Sequence, residues 1–166
     1  MPTRIPLWLA LFGCLLAAGC ASLDSIAPGT PSADVRSTRG APFRVWPEPG
    51  GAASWEYPLG PSGRTTYMVR VGADGRVDRV DQVLGWDTFT RVAVGMPENE
   101  VEHLLGRPYS KVTYPLTAST VWSWRFLETA WGRCFLAYFN PEGRLTGTGS
   151  KDEETGDVGV VMAAPC

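Results

Sequence analysis

One histidine, His103, is all the imidazole this sequence of 166 residues offers, and it stands between Glu102 and Leu104. Nucleophilic catalysis needs a base beside its nucleophile, so a single, unremarkably placed histidine argues against an enzyme of that kind. Charge is also sparse. Acids outnumber bases 17 to 15, and loss of Arg4 with a cleaved leader leaves 14 bases, a net charge of minus three. That balance makes nucleic acid a poor partner. The longest apolar run, Ile5 to Leu16, is too short to span a bilayer. Cofactor loops are missing: Gly147-Thr148-Gly149 lacks the strand-to-helix setting of a phosphate loop. The adjacent acids Asp152-Glu153-Glu154 point in different directions and read as a solvated loop, not a metal cluster. No cofactor and no metal are expected. What the chain does have in quantity is glycine and proline, 19 and 14 residues, beside an apolar content of 44%. Short elements joined by many turns follow from that composition.

The first 19 residues read as a secretory leader, with Arg4 in front of the apolar run. They end in Leu16-Ala17-Ala18-Gly19-Cys20, which resembles the lipobox of bacterial lipoproteins, and the resemblance implies that Cys20 is acylated and becomes the mature N-terminus. Leu11-Phe12-Gly13-Cys14 is a rival site that leaves a shorter apolar run. Ala21 and Ser22, with no Asp after the cysteine, resemble lipoproteins sent to the outer membrane, facing the periplasm. In that oxidising compartment Cys134 and Cys166 are free to pair, the alternative being a buried free Cys134 and a frayed Cys166.

Laid on itself, the chain repeats. Leu23-Asp24-Ser25-Ile26-Ala27-Pro28-Gly29-Thr30-Pro31, continuing to Gly40-Ala41-Pro42, matches Phe89 to Pro97 and on to Gly106-Arg107-Pro108 at a constant offset of 66. Trp55-Glu56-Tyr57 is matched to Trp124-Arg125-Phe126, and Tyr67 to Val77 to Phe135 to Leu145 at an offset of 68. The organisation predicted is a signal peptide over 1–19, a divergent first module over 20–84 and a second module over 85–166.

Each module has the same physical plan. Pro31 and Pro97 take the first helical position, where a missing N–H is no loss, and Gly40 and Gly106 end the helix ahead of Pro42 and Pro108. Val101, Leu104 and Leu105 form an apolar stripe, whereas the first copy keeps only Val35. The period then becomes alternating. Strands are predicted around Val121–Leu127, Tyr67–Val71, Arg133–Phe139, Val77–Leu84 and Leu145–Thr148, with Val158–Met162 as a last one. Turns fall at Asp74-Gly75 and Pro141-Glu142-Gly143. The predicted class is α+β: two tandem modules, each a short helix or helix pair packed on an antiparallel meander of about three to four strands. Modules this small are marginal alone, so the copies are expected to share burial.

Val94-Gly95-Met96, Leu104-Leu105-Gly106-Arg107-Pro108, Trp124-Arg125-Phe126 and a Phe-rich strand with a glycine turn together resemble the SmpA/OmlA (BamE-like) family of outer-membrane lipoproteins. The match is clear over residues 86–149 and reaches 23–84 through the repeat. The family's best-known member is a subunit of the outer-membrane β-barrel assembly machine, and a tandem pair of such units resembles the β-lactamase inhibitor protein fold. The resemblance implies a non-catalytic scaffold in outer-membrane protein assembly or envelope integrity. It is anchored to the outer membrane by an N-terminal lipid and bound to the assembly machine or another envelope protein. The alternative is a periplasmic enzyme inhibitor or sensor.

Alternation assigns candidate binding residues. Phe135, Ala137 and Phe139 face the helix, which leaves Arg125, Leu127, Leu136 and Tyr138 on the opposite face, with Met68 and Arg70 as their first-copy counterparts. Such a mixture suits an interface centre, unless the copies bury these faces against each other. Trp55, Trp122 and Trp124 belong to the core, while Trp46, Trp86 and Trp131 are either lids on it or contact anchors.

Overall fold

The computed structural model describes residues 23–59, 63–153 and 166. Two four-stranded antiparallel meanders run in sequence order, each preceded by short helices, which makes the class α+β with two sheets. The first contains helix α1 (Ser32–Arg39) and strands β1 (Arg44–Pro47), β2 (Ala53–Leu59), β3 (Thr65–Val71) and β4 (Val77–Gln82). The second contains helices α2 (Trp86–Phe89) and α3 (Glu98–Leu105) and strands β5 (Ser110–Tyr114), β6 (Ser119–Glu128), β7 (Trp131–Phe139) and β8 (Leu145–Asp152). A 3₁₀ turn at Leu23–Ser25 stands where α2 stands in the second copy. The strand predicted at Val158–Met162 lies outside the described residues.

The repeat is written in hydrogen bonds. Pro31 and Pro97 are the N-caps of α1 and α3, so each helix begins one residue later than the sequence suggested, and neither proline provides a side-chain cap. The exposed N–H groups at each helix start are instead met by a turn of the following hairpin: Ser32 N–H donates to Gly75 O (2.9 Å) and Glu98 N–H to Gly143 O (3.1 Å). Glu98 and Glu100 add negative charge at the positive end of α3. At the other end Gly40 and Gly106 return their N–H groups to Arg36 O and Glu102 O. Their own carbonyls accept from the sheet, Gly40 O from the Tyr57 hydroxyl (3.1 Å) and Gly106 O from the Trp124 indole (2.9 Å). Strand pairing agrees, since Phe43 N–H donates to Glu56 O and Tyr109 N–H to Ser123 O. The structure therefore places Trp55, Glu56 and Tyr57 at the positions of Trp122, Ser123 and Trp124, two residues before the match read from the sequence.

The first core lies between α1 and its sheet and gathers Leu23, Val35, Trp55, Tyr57, Tyr67, Val69, Val71 and Val77. The second gathers Val101 and Leu105 of α3, Phe89 of α2, and Trp122, Trp124, Phe126, Phe135, Ala137 and Phe139 of the sheet. Its aromatic packing includes the Phe89 ring stacked on Phe135 at 4.2 Å and edge-on to Phe126 at 4.9 Å. Met68, Val83 and Leu84 of the first module belong to this second core. Helix α3 thus lies between the two sheets. The first sheet is covered on both faces, by α1 on one and in part by the second module on the other.

That arrangement decides between two readings of the first sheet and corrects what was expected of one acid. Met68 is buried against the second module, as shared burial of the copies requires, and not on an open face; Arg70 stands in a cleft between the modules and reaches Glu48 (3.9 Å) and Asp78 (3.5 Å). A module under 80 residues gains burial by docking its spare face on its twin. The acid belongs to the adjacent run at the end of β8. Glu153 is not solvated: its carboxylate is nearly enclosed between Arg64 (2.7 Å) and Arg125 (3.0 Å). It ties the second sheet to the residues just before β3.

Tyr67 marks the first core with a measurable signature. Burial, then the hydrogen bond it donates to Asp24 (2.7 Å) and that carboxylate's charge, push its phenol pKa up to about 12. A group raised in the folded state contributes stability that is complete below its unfolded pKa of about 10. The contribution is lost as pH rises through about 12. The urea midpoint is expected to fall across that window, and Tyr67→Phe to abolish this step; an unchanged alkaline profile in the variant contradicts the assignment.

Candidate protein-binding site

The outer face of the second sheet is built by register. Arg125 pairs with Cys134, Ser123 with Leu136 and Val121 with Tyr138. Side chains alternate, so Arg125 and Leu127 of β6 and Leu136 and Tyr138 of β7 share this face, as the sequence indicated. Their environments differ. Leu136 is buried, in a small cluster with Val121, Cys134, Tyr114 and Cys166. Arg125 is engaged by Glu153 and lies over the Tyr109 ring (3.6 Å). Leu127, 50% exposed, and Tyr138, 37% exposed, are the apolar groups that meet solvent. Tyr138 leans across β8 because Gly149 leaves room: a Cβ there would stand 3.3 Å from its hydroxyl oxygen.

Between the buried and exposed groups is a cavity of about 310 Å³ lined by Tyr114, Thr117, Ser119, Val121, Leu136, Tyr138 and Lys151. A disulfide joins Cys134 in the middle of the sheet to Cys166 on this face. Bridging residues 32 apart removes denatured-state entropy worth about 3–4 kcal/mol. Reduction, or Cys134→Ser with Cys166→Ser, is expected to lower the unfolding free energy by that amount in urea titrations. A loss below about 1 kcal/mol would remove the bond from the list of forces that hold this face rigid.

The three tryptophans left open by the sequence separate into different tasks. Trp46 is a lid between modules: it stacks on His103 (5.0 Å between centroids), packs on the second core and donates its indole N–H to Glu56 (3.2 Å). Trp86 covers Phe89 and Phe126 edge-on while its indole N–H donates to Glu128 (2.5 Å), leaving one side in solvent. Trp131, at the end of the β6–β7 hairpin, is 77% exposed and covers nothing comparable. Its pairing with Glu128 places it on the helix side of the sheet, opposite to Leu127, so it does not belong to the outer face.

A second feature was not legible in the sequence. A polar cleft of about 680 Å³ opens between the inner face of the first sheet and helices α2 and α3. On its wall Glu48 receives the Ser54 hydroxyl (2.9 Å) and pairs with His103 Nε2 (3.0 Å). Burial raises the Glu48 pKa, but the Ser54 and His103 hydrogen bonds and the His103 and Arg70 charges together bring it below its ordinary value. A depressed carboxylate contributes stability that is present above the ordinary range and is lost as pH falls through the folded value. The residues are 55 apart in sequence, and no local motif announces such a pair. Among the described residues, no group of three or more His, Cys, Asp or Glu is placed to hold a metal ion, and no helix is long and apolar enough to cross a membrane.

Comparison with known proteins finds no matching family model and no matching curated protein. Among solved structures, the chain is similar to a putative osmotically inducible lipoprotein, OsmE, at 20% identity and a TM-score of 0.35, over 41% of this chain and 78% of that one. It is also similar to YjgB, a DUF4309 family protein from Bacillus subtilis, at 13% identity and a TM-score of 0.29, over 80% and 84% of the two chains. A third likeness is to an extracellular protein with an SCP domain from Bacillus anthracis, at 12% identity and a TM-score of 0.31, over 80% and 47%. The similarity to each is distant.

Proposed function

We propose that this protein is a non-catalytic lipoprotein, anchored through Cys20 in the outer membrane and facing the periplasm. There it acts as a protein-binding scaffold in outer-membrane protein assembly or envelope integrity. The observation that carries the binding role is the outer face of the second sheet. It is a disulfide-stapled platform with a cavity, flanked by the exposed Leu127 and Tyr138. Rigid aromatic and aliphatic groups around a recess are what interface centres use, because little side-chain freedom is lost on contact. The lipobox at Leu16 to Cys20 supports the anchor, and a Cys134–Cys166 bond suits an oxidising compartment.

Two measurements test the reading. Cys20→Ser is expected to move the protein from the membrane fraction to the soluble periplasm; unchanged membrane association defeats the anchor. Leu127→Asp and Tyr138→Ala change exposed groups, so co-purification of the envelope partner from detergent-solubilised membranes is expected to disappear while Tm stays the same. Arg125 is unsuitable for this purpose, since its removal takes from the enclosed Glu153 one of its two arginine partners. Retained co-purification in both variants moves the contact elsewhere on the molecule.

A further inference from the structure

β1 and β5 are the outer edges of the two sheets, and no described strand pairs with their free sides. The chain enters both in the same way, from the helix-ending glycine through Pro42 to Phe43 and through Pro108 to Tyr109. Phe43 and Tyr109 occupy equivalent positions, each with its N–H bonded to the neighbouring strand, and about half of each ring surface remains in solvent. Between them is a groove of about 320 Å³ whose walls also include Arg44, Glu102, Arg107 and Lys111. The two sheet edges thus share one recess with an aromatic residue on each side.

The recess is cationic in a chain whose mature net charge is negative. Its one acid, Glu102, is taken by both Arg44 (2.9 Å) and Lys111 (3.6 Å). Arg107 lies over the Phe43 ring (5.1 Å), and no described carboxylate stands within ion-pair distance of it. Stacking fixes a guanidinium plane while leaving its N–H edge open for a bidentate carboxylate. The first copy has Ala41 and Val45 where the second has Arg107 and Lys111, so the charge was not produced by the repeat as such.

We propose that this groove docks an extended, acidic segment of a protein partner. Its backbone would run along the free edge of β5 or β1, with carboxylates on Arg107 and Lys111 and an apolar side chain between Phe43 and Tyr109. Edge strands recognise extended chains through main-chain hydrogen bonds, and the excess cations choose an acidic one. A walled recess is the wrong shape for the flat surface of a bilayer. The site adjoins the outer face of the second sheet, where Arg125 lies over the Tyr109 ring, but has its own lining and does not depend on acylation of Cys20.

The test uses the purified lipoprotein in non-ionic detergent and fluorescein-labelled octapeptides, one alternating Glu and Val and one alternating Lys and Val, read by fluorescence anisotropy. The Glu peptide is expected to bind saturably and the Lys peptide not at all. Raising salt from about 0.01 M to about 0.15 M should weaken binding. Arg107→Glu and Phe43→Ala should each reduce affinity at least about tenfold, with Tm unchanged because both side chains are exposed. Arg91→Glu, in the other cleft, should leave affinity unchanged. Equal binding by Arg107→Glu and the parent protein overturns the proposal. So does absence of Glu-peptide binding, including the case in which phosphatidylglycerol vesicles bind in an Arg107-dependent manner and the groove belongs to a lipid.

Discussion

Replacing Gly106 with alanine is expected to cost about 2–5 kcal/mol, whereas the same change at its repeat counterpart Gly40 costs about 1–2 kcal/mol. Both glycines end a helix with positive φ, 75° at Gly106 and 80° at Gly40, so both pay the left-handed penalty of a side chain. Only one also meets a wall. A Cβ at Gly106 would stand 2.8 Å from Thr66 Cγ2 and 3.0 Å from Glu56 Oε1, both buried on the inner face of the first sheet; a Cβ at Gly40 meets nothing within 4 Å. The difference between the two variants therefore measures how tightly α3 is pressed on the first sheet. Urea unfolding of the pair gives it directly, and equal losses would mean that the modules do not share this contact in solution.

Glu56→Leu is expected to destabilise by about 1–3 kcal/mol, because two part-buried donors lose their acceptor at roughly 0.5–1.5 kcal/mol each. The Glu56 carboxyl is fully buried where the modules meet, accepting the backbone N–H of Arg107 at 2.6 Å and the indole N–H of Trp46 at 3.2 Å. One donor belongs to each module, so the side chain works as a clasp. Leucine fills comparable space without offering an oxygen, which separates lost hydrogen bonding from lost volume. Glu56→Gln keeps one carbonyl acceptor and is expected to lose less than half as much. A neutral Glu56→Leu in chemical denaturation would show that neither N–H needs this partner. Ser123 holds the corresponding place in the second sheet, where its hydroxyl shares a hydrogen bond of 2.6 Å with that of Ser110.

Much of this architecture could be read from the chain because the repeat aligns features with strong local causes. Gly40 and Gly106, the hairpin glycines Gly75 and Gly143, and the alternation through Trp122, Trp124 and Phe126 each announce a helix end, a turn or a strand face. The sequence starts each helix one residue early because Pro is tolerated at either position, and the true partners of the first N–H groups are carbonyls of a distant hairpin. The short edge strands β1 and β5 went unread: four or five residues are too few for a convincing period, and their order comes from the neighbouring strand. The pairing of Trp55-Glu56-Tyr57 slipped by two because identical residue types recur every second position, so any even shift preserves the pattern. The candidate face was partly legible. Alternation put four residues on one side, but burial of Leu136, engagement of Arg125 and the distant Glu48–His103 pair depend on contacts far away in sequence.

The 3₁₀ turn at Leu23–Ser25 carries one more implication. Leu23 is 1% exposed, locked into the first core, and stands three positions after Cys20, with only Ala21 and Ser22 between them. Three residues reach at most about 11 Å even when fully stretched. A lipid on Cys20 therefore does not moor this protein on a slack line from which it could sweep the periplasm. With Cys20 acylated as proposed, the first module is held within that reach of the membrane surface. A partner of such a molecule must come to the membrane surface or already be embedded in it.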